Sequence, residues 1–319
     1  MRCFQAIAVF AVCAGSACAQ SFPGRPIKFV VPWPAGGPPD SVARIIGQRI
    51  GEALRQQVVI DNRPGANSII GTEMVARSAP DCYTFLVTTG SHTTNAALHA
   101  KLPYDTLKDF VSLTQIGESA GMVLGVHPSV PAKSVTELVA LAKAKPGQLT
   151  FGSAGNGNTL HLAGELFKTA TGVSITHVPY KGAALALNDL MGGHIDMMFA
   201  SPLSMAPPIL QGRLRGLAQM GARRSHVLPD LSTLDELGVH GAHIGGWYGL
   251  YAPAKSPREN TDRVLAEVLK ALKDTDIRQK IENLGAEPVG LAPDEFMRFL
   301  VADIDKYRKL AQRINLKIE

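Results

Sequence analysis

Two glycine-rich stretches hold the residues that could do chemistry: Val30 to Ser41 (V-V-P-W-P-A-G-G-P-P-D-S) and Ser153 to Thr159 (S-A-G-N-G-N-T). Their resource is the main chain. Gly36 and Gly37 in the first, and Gly155 and Gly157 in the second, let a bound group approach backbone N–H donors. The prolines at 32, 34, 38 and 39 stiffen the first stretch. Each stretch follows a short strand-like run and precedes a run of helical spacing. Each therefore sets unpaired N–H groups and the positive end of a helix dipole at one spot, which suits a small anion. The bland alternative is an ordinary strand-to-helix turn.

A nucleotide is a poor fit. The G-x-G-x-x-G spacing is absent, as is the G-K-[ST] ending of a phosphate loop. Within the first stretch, Asp40 or Ser41 is positioned to cap the following helix. Asp40 has a second reading, because a carboxylate at this place could pair with a ligand's ammonium group. Near the second stretch, His161 opens a helix and either touches ligand or makes a structural hydrogen bond. Ser153, in a sharp strand-to-helix turn with His161 close in sequence, offers the best enzymatic alternative, a serine hydrolase. Phe151 to Gly155 (F-G-S-A-G) nevertheless lacks the G-x-S-x-G pattern. No metal site is expected, since the nine histidines are dispersed and His240 and His243 lack a third ligand at useful spacing. No cofactor motif is found either.

The elements that position these loops follow from periodicity. Ile27 to Val31 reads as a strand and Val42 to Leu54 as a helix. Gln57 to Ile60, Ile69 to Arg77 and Tyr83 to Thr88 then complete a β-α-β-α-β unit. In such sheets ligands sit at the carboxyl ends of strands, which adds Thr88 and Thr89 to the candidate site. Gly121 to His127 reads as a strand. A helix from Val135 to Lys145 follows, with Ser134 and Glu137 as a capping box. The opening physics then repeats. Leu149 to Gly152 is a strand, Leu160 to Ala170 a helix, Ile175 to Val178 a strand, Ala183 to Met191 a helix, and Ile195 to Ala200 a strand. The last of these ends at Ala200 and Ser201 beside the same cleft. Leu214 to Met220 and Gly245 to Pro253 are extended, and the chain is helical from Arg258 with breaks at Gly285 and Pro293. Two α/β units joined by two extended crossings make a two-domain clamshell. Its expected bounds are 20–122 with 248–319 for one domain and 123–247 for the other.

Residues 1–19 read as a secretory signal peptide: Arg2, an apolar run from Ala6 to Ala14, and a small-residue exit at Ala17-Cys18-Ala19. Three of the four cysteines lie in it. The remaining Cys82 has no partner for an intrachain disulfide, so the fold must rest on its apolar core. The net charge of +5 mildly favours anionic ligands. No basic stripe or aromatic platform points to nucleic acid.

Several short motifs run the length of the chain: Arg25-Pro26-Ile27, Val30-Val31-Pro32, Gly36-Gly37 through Asp40, Asn62-Arg63-Pro64-Gly65-Ala66, Pro80-Asp81 with Tyr83-Thr84, Leu102-Pro103-Tyr104-Asp105, Lys108-Asp109-Phe110, Pro146-Gly147, His161 to Phe167, Val178 to Gly182, and Gly249-Leu250 with Ala252-Pro253. In their order and spacing the chain resembles the substrate-binding proteins of tripartite tricarboxylate transporters, the Bug family of periplasmic receptors. The resemblance implies an α/β two-domain periplasmic binding protein fold, a type II-like Venus flytrap with two crossover strands at the hinge. It implies a monomeric, periplasmic, non-enzymatic protein. Such a protein would deliver a small carboxylate (a di- or tricarboxylate, an acidic amino acid or an aromatic acid) to membrane transport subunits. A receptor reporting to a signalling partner would use the same fold. The resemblance further points to Trp33, Ala35, Gly36, Gly37 and Asp40 on one side of the cleft, and Ser153, Gly155, Asn156 and Gly157 on the other. Cys82 departs from the glycine usual there, and Trp33 is bulkier than the phenylalanine expected.

Overall fold

The structure, a computed structural model, describes residues 22–313 and Leu316. The expected signal peptide at 1–19 lies outside the described residues. In chain order the elements are β1 (Ile27–Val31), α1 (Pro38–Leu54), β2 (Val58–Asn62), α2 (Ile69–Ala76), β3 (Thr84–Thr89), α3 (Ser91–Leu98) and β4 (Phe110–Ser119). There follow β5 (Val123–Val126), α4 (Val135–Ala144), β6 (Thr150–Ser153), α5 (Thr159–Thr171), β7 (Thr176–Pro179), α6 (Ala183–Met191), β8 (Met197–Ala200), α7 (Pro202–Leu210) and β9 (Arg215–Gln219). The chain closes with β10 (Trp247–Pro253), α8 (Arg258–Ala271), α9 (Thr275–Asn283), β11 (Ala286–Pro288) and α10 (Pro293–Arg313).

These strands form two sheets. The first has the order β11-β4-β10-β3-β1-β2 and the second β7-β6-β8-β5-β9. Within the first, β1 pairs parallel with β2 and β3, and β10 runs antiparallel to β3 and β4. In the second, β6 is parallel to β7 and β8, while β5 is antiparallel to β8 and β9. The central strands are apolar on both faces because helices cover both faces. Val30 and Val31, adjacent in β1, are both fully buried, and so are Phe85, Leu86 and Val87 in β3. α1 buries Val42, Ala43, Ile46, Ile50 and Leu54, a stripe at helical spacing, against the first sheet.

Two crossings join the halves, from β4 to β5 and from β9 to β10. They are laced by main-chain bonds: Ser119 N–H to Gly246 O at 2.8 Å, Met122 N–H to Ile244 O at 3.0 Å, and Met220 N–H to Met122 O at 2.7 Å. α10 spans the junction. Its Phe296 and Leu300 pack in a core under the first sheet, and its Tyr307 and Leu310 in the core of the second half with Phe167 and Phe199.

Several sequence expectations change. α1 begins at Pro38 rather than Val42, and its N-cap is Gly37, so neither Asp40 nor Ser41 caps it. The cause is the Pro38-Pro39 pair, whose fixed φ suits the first helical positions. The strand expected over 121–127 is shorter, and β4, α3 and α7 have no counterpart in the sequence reading. The capping box at α4 is half as expected. Ser134 accepts from Glu137 N–H, but the Glu137 carboxylate reaches Lys133 N–H instead of Ser134 N–H. Cys82 takes φ 64°, a left-handed value that glycine adopts without strain. Burial pushes its thiol up to about 11, which leaves it without nucleophilic character.

Candidate functional site

The two halves face each other across a cleft of about 710 Å³ that is continuous with solvent. From the first half its walls include Trp33, Pro34, Gly37, Pro38 and Pro39, then Thr89, Gly90 and Ser91, and from the crossings Met122, Gly246, Trp247 and Tyr248. The second half contributes Ala154, Asn158, Thr159, Leu160, Ala183, Ala184, Ala200, Ser201 and Ser204. None of these side chains is charged. The halves touch across the gap. A methyl group on Gly182 would lie 3.0 Å from Pro34 Cγ, and one on Gly90 would lie 3.2 Å from Thr159 Oγ1. Trp33 shares an apolar cluster with Ala154, Leu160 and Ala183 of the opposite half.

Of the residues suggested by sequence, Trp33, Gly37, Thr89, Ala200 and Ser201 line this cleft. Ala35, Gly36, Asp40, Thr88, Ser153, Gly155, Asn156, Gly157 and His161 are not among its walls. Their hydrogen bonds explain much of this. Gly36, at φ 80°, donates its N–H to Asp40 Oδ2 at 2.9 Å. The Asp40 carboxylate also accepts from Arg44 Nε at 2.8 Å, Arg44 Nη2 at 3.0 Å and Asn62 Nδ2 at 3.0 Å. With only 2% of Asp40 exposed, the acid is consumed as the clamp of its own loop. Its burial would raise the pKa, but the bonds from Arg44, Gly36 and Asn62 outweigh that and hold the carboxyl below its usual value.

The second loop is likewise sealed from within. Ser153 Oγ sits 2.6 Å from His177 Nε2, bonds Gly155 O at 3.0 Å and accepts from Gly155 N–H at 3.1 Å. Ser153 is fully buried, and its histidine is His177 rather than His161, so the hydrolase pairing considered from sequence is not formed. Gly157 N–H donates to His161 Nδ1 at 3.0 Å. The His161 ring stacks on His177 with centroids 3.8 Å apart and planes 12° from parallel. Burial lowers the pKa of both rings; His177, further disfavoured as a cation by His161 and Lys168, falls to about 3. Both rings are therefore neutral near pH 7. His161 thus anchors the loop. Asn156 is exposed outside the cleft walls.

Five helix starts abut the cleft, and at three of them proline or an asparagine cap removes part of the first-turn donors. At α1, Pro38 and Pro39 occupy the first two positions and supply no N–H. At α5, the Asn158 side chain accepts from Leu160 N–H at 2.9 Å and His161 N–H at 3.1 Å. At α7, Pro202 takes the first position. Neither Gly90 at the start of α3 nor Gly182 at the start of α6 supplies a side-chain cap; at α3 Ser91 N–H reaches Thr89 Oγ1 at 3.4 Å and Thr93 N–H reaches Gly90 O at 3.2 Å, which leaves His92 N–H, while at α6 the first-turn donors are open. One belongs to each half. Sequence reasoning missed α3 because Ser91-His92-Thr93-Thr94-Asn95 is weakly helix-forming and shows no apolar period. It missed Trp247 and Tyr248 as site residues because they lie on a crossing strand rather than in a glycine loop.

The architecture and cleft find counterparts among known proteins. The tripartite tricarboxylate transporter family receptor, TctC, is matched over residues 42–316. Protein BugT of Bordetella pertussis is 31% identical to this chain, covering 100% of it and 99% of BugT. Among solved structures, R. palustris Rpa4515 with adipate is 35% identical with a TM-score of 0.90, covering 93% of this chain and 99% of its own. MatC of Rhodopseudomonas palustris with bound malate is 30% identical with a TM-score of 0.85, covering 91% and 99%. This chain therefore belongs to the TctC family of tripartite tricarboxylate transporter receptors, together with the Bug periplasmic binding proteins, and is a solute-binding receptor, not an enzyme.

Proposed function

We propose that this chain is a periplasmic receptor that captures a small carboxylate between its two halves and delivers it to the membrane subunits of a tripartite tricarboxylate transporter. The observation that carries the reading is that both halves turn helix starts without an N-cap side chain, α3 with its remaining His92 N–H and α6 with its first-turn donors, toward a single uncharged cleft. A carboxylate accepting from both would be bound more strongly when the halves are together than when they are apart, and only such a difference shifts a hinge equilibrium. Each helix start contributes about 0.3–1 kcal/mol, and up to ~2 kcal/mol when partly buried. The adipate and malate named with the two R. palustris relatives support the ligand class.

In this reading the halves are two domains, 20–122 with 248–319 and 123–247, and the receptor works as a monomer. Thr89, Ala200, Ser201, Trp33 and Gly37 stay in the proposed site. Gly90, Ser91, Asn158, Thr159, Ala183, Ala184, Ser204 and Trp247 join it. Asp40, Gly36, Ser153, Gly157 and His161 support it from behind. The test is a thermal-shift screen of protein unfolded and refolded to strip carried ligand, with carboxylates set against their neutral amides. A ligand at 100 times its Kd adds about 2.7 kcal/mol of apparent stability. A shift for a carboxylate and none for its amide is expected; no shift for any carboxylate overturns the reading. Recovery of a sensor protein in place of transport subunits by cross-linking would redirect the partner.

A further inference from the structure

Resting on the carboxylate-receptor reading, we infer that the ligand carries an apolar body, aromatic by preference, and no ammonium group. Three observations carry this. First, among the described residues no charged side chain lines the cleft, so no acid there stands ready to pair with an ammonium ion. The acid of the first loop, Asp40, is filled by four donors from Gly36, Arg44 and Asn62 and lies outside the cleft walls, and Asp303, behind Trp247, is held by Trp247, Thr93 and Lys306. An ammonium brought into this cleft would lose water without gaining a counter-charge, and an unpaired charge under such conditions is strongly disfavoured.

Second, the walls are broadly apolar. Trp33, Met122, Leu160 and Trp247 face the same space as several alanines and prolines, and indole surfaces favour flat aromatic partners. Third, Trp33 is 8% exposed, and its indole N–H has no hydrogen-bond partner among the described residues. A buried donor left unpaired is rare in folded proteins, and this one sits on a cleft-lining side chain. Anion contacts then fall to main-chain N–H groups at the helix starts and to neutral hydroxyls. The rest of the ligand meets hydrocarbon.

The experiment uses matched pairs on the refolded full mature chain, with Kd from calorimetric titration. 3-Phenylpropanoate against phenylalanine, and glutarate against glutamate, differ only by the α-ammonium group. 3-Phenylpropanoate against propanoate differs only by the ring. The ammonium-free member of each of the first two pairs is expected to bind at least about tenfold more tightly. The ring is expected to tighten binding by at least about tenfold over propanoate. Tighter binding of glutamate than glutarate, or of phenylalanine than 3-phenylpropanoate, overturns the inference while leaving the receptor reading intact. Equal binding of propanoate and 3-phenylpropanoate overturns the apolar-body part alone. If none of the carboxylates binds, it is the receptor reading that fails. Trp33→Ala is expected to reduce the 3-phenylpropanoate advantage over propanoate while propanoate binding persists. An undiminished advantage in that variant contradicts the role assigned to the indole.

Discussion

Gly36 donates its main-chain N–H to the side chain of Asp40, four residues on, at 2.9 Å, and so the loop that begins the first helix is tied to its own acid. The most exposed glycine of the loop is thereby spent on structure, and the loop's acid is spent with it. Ligand chemistry passes to other main-chain groups.

If Asp40 is a clamp, Asp40→Ala should lower the unfolding free energy by about 1–3 kcal/mol, because it leaves the Gly36, Arg44 and Asn62 donors without their acceptor. Its selectivity between glutarate and glutamate should not change. Urea unfolding and calorimetric titration check the two halves of this statement. Loss of selectivity with unchanged stability would assign Asp40 to the ligand instead.

The stacked His161 and His177 predict an acid-side weakness. Burial lowers both folded pKa values below their unfolded value of about 6.5, with His177 near 3, so the unfolded chain takes up protons first. Their contribution is full above pH 6.5 and is lost as pH falls toward the folded values, at up to about 1.36 kcal/mol per pH unit for each ring. Urea midpoints measured from pH 7 to 5 should fall in the native chain and fall less steeply in His177→Phe. Parallel slopes for the two proteins would rule out this origin. Asp40 adds a separate loss at lower pH, since its carboxyl is held below the usual range and its bonds disappear only as pH falls through that lowered value.

Much of this fold is readable from residue spacing, and the unread parts share a cause. α6 is recovered at its observed limits because Gly182 and Gly192 bracket an apolar run. β4 is not legible in the spacing because Phe110 to Ser119 mixes Ser, Thr, Gln and Gly with apolar residues, yet nearly all of it is buried between β10 and β11. Tertiary burial sets that strand, not alternation. α7 hid behind Pro207 and Pro208, which propensity excludes from a helix interior. The glycine loops marked the right end of each sheet. They did not reveal that Asp40, Asn158 and His161 would take up the loop donors, because such bonds depend on side-chain direction after folding.

A wedge at the contact between the halves should separate binding from folding. Gly90→Leu places bulk where a methyl would already lie 3.2 Å from Thr159 Oγ1. Overpacking costs about 1–3 kcal/mol, and charged only to the closed form it weakens ligand binding by roughly 5- to 150-fold. Small-angle scattering should show compaction on ligand addition in the native chain and less in the variant. Full compaction and unchanged affinity in Gly90→Leu would mean that this contact does not govern closure.

Asp303 on α10 holds the cleft wall from behind, accepting from Trp247 Nε1 at 3.0 Å and Thr93 Oγ1 at 2.7 Å. Asp303→Ala should destabilise by about 1–3 kcal/mol, since the buried Trp247 Nε1–H loses its acceptor while Thr93 Oγ1 keeps Gly90 O at 2.9 Å. Urea unfolding followed by circular dichroism gives the value. A loss under about 0.5 kcal/mol would show that water replaces the carboxylate at little cost.

The most direct measurement uses the two tryptophans of the chain, Trp33 and Trp247, both of which line the cleft. Intrinsic tryptophan emission therefore responds to ligand in that space and to closure around it. Titration with a carboxylate that raises thermal stability should change the emission saturably, at the same Kd as calorimetry, while its amide leaves the spectrum unaltered. A carboxylate that binds by calorimetry without moving the tryptophan emission would place the ligand elsewhere and contradict the account.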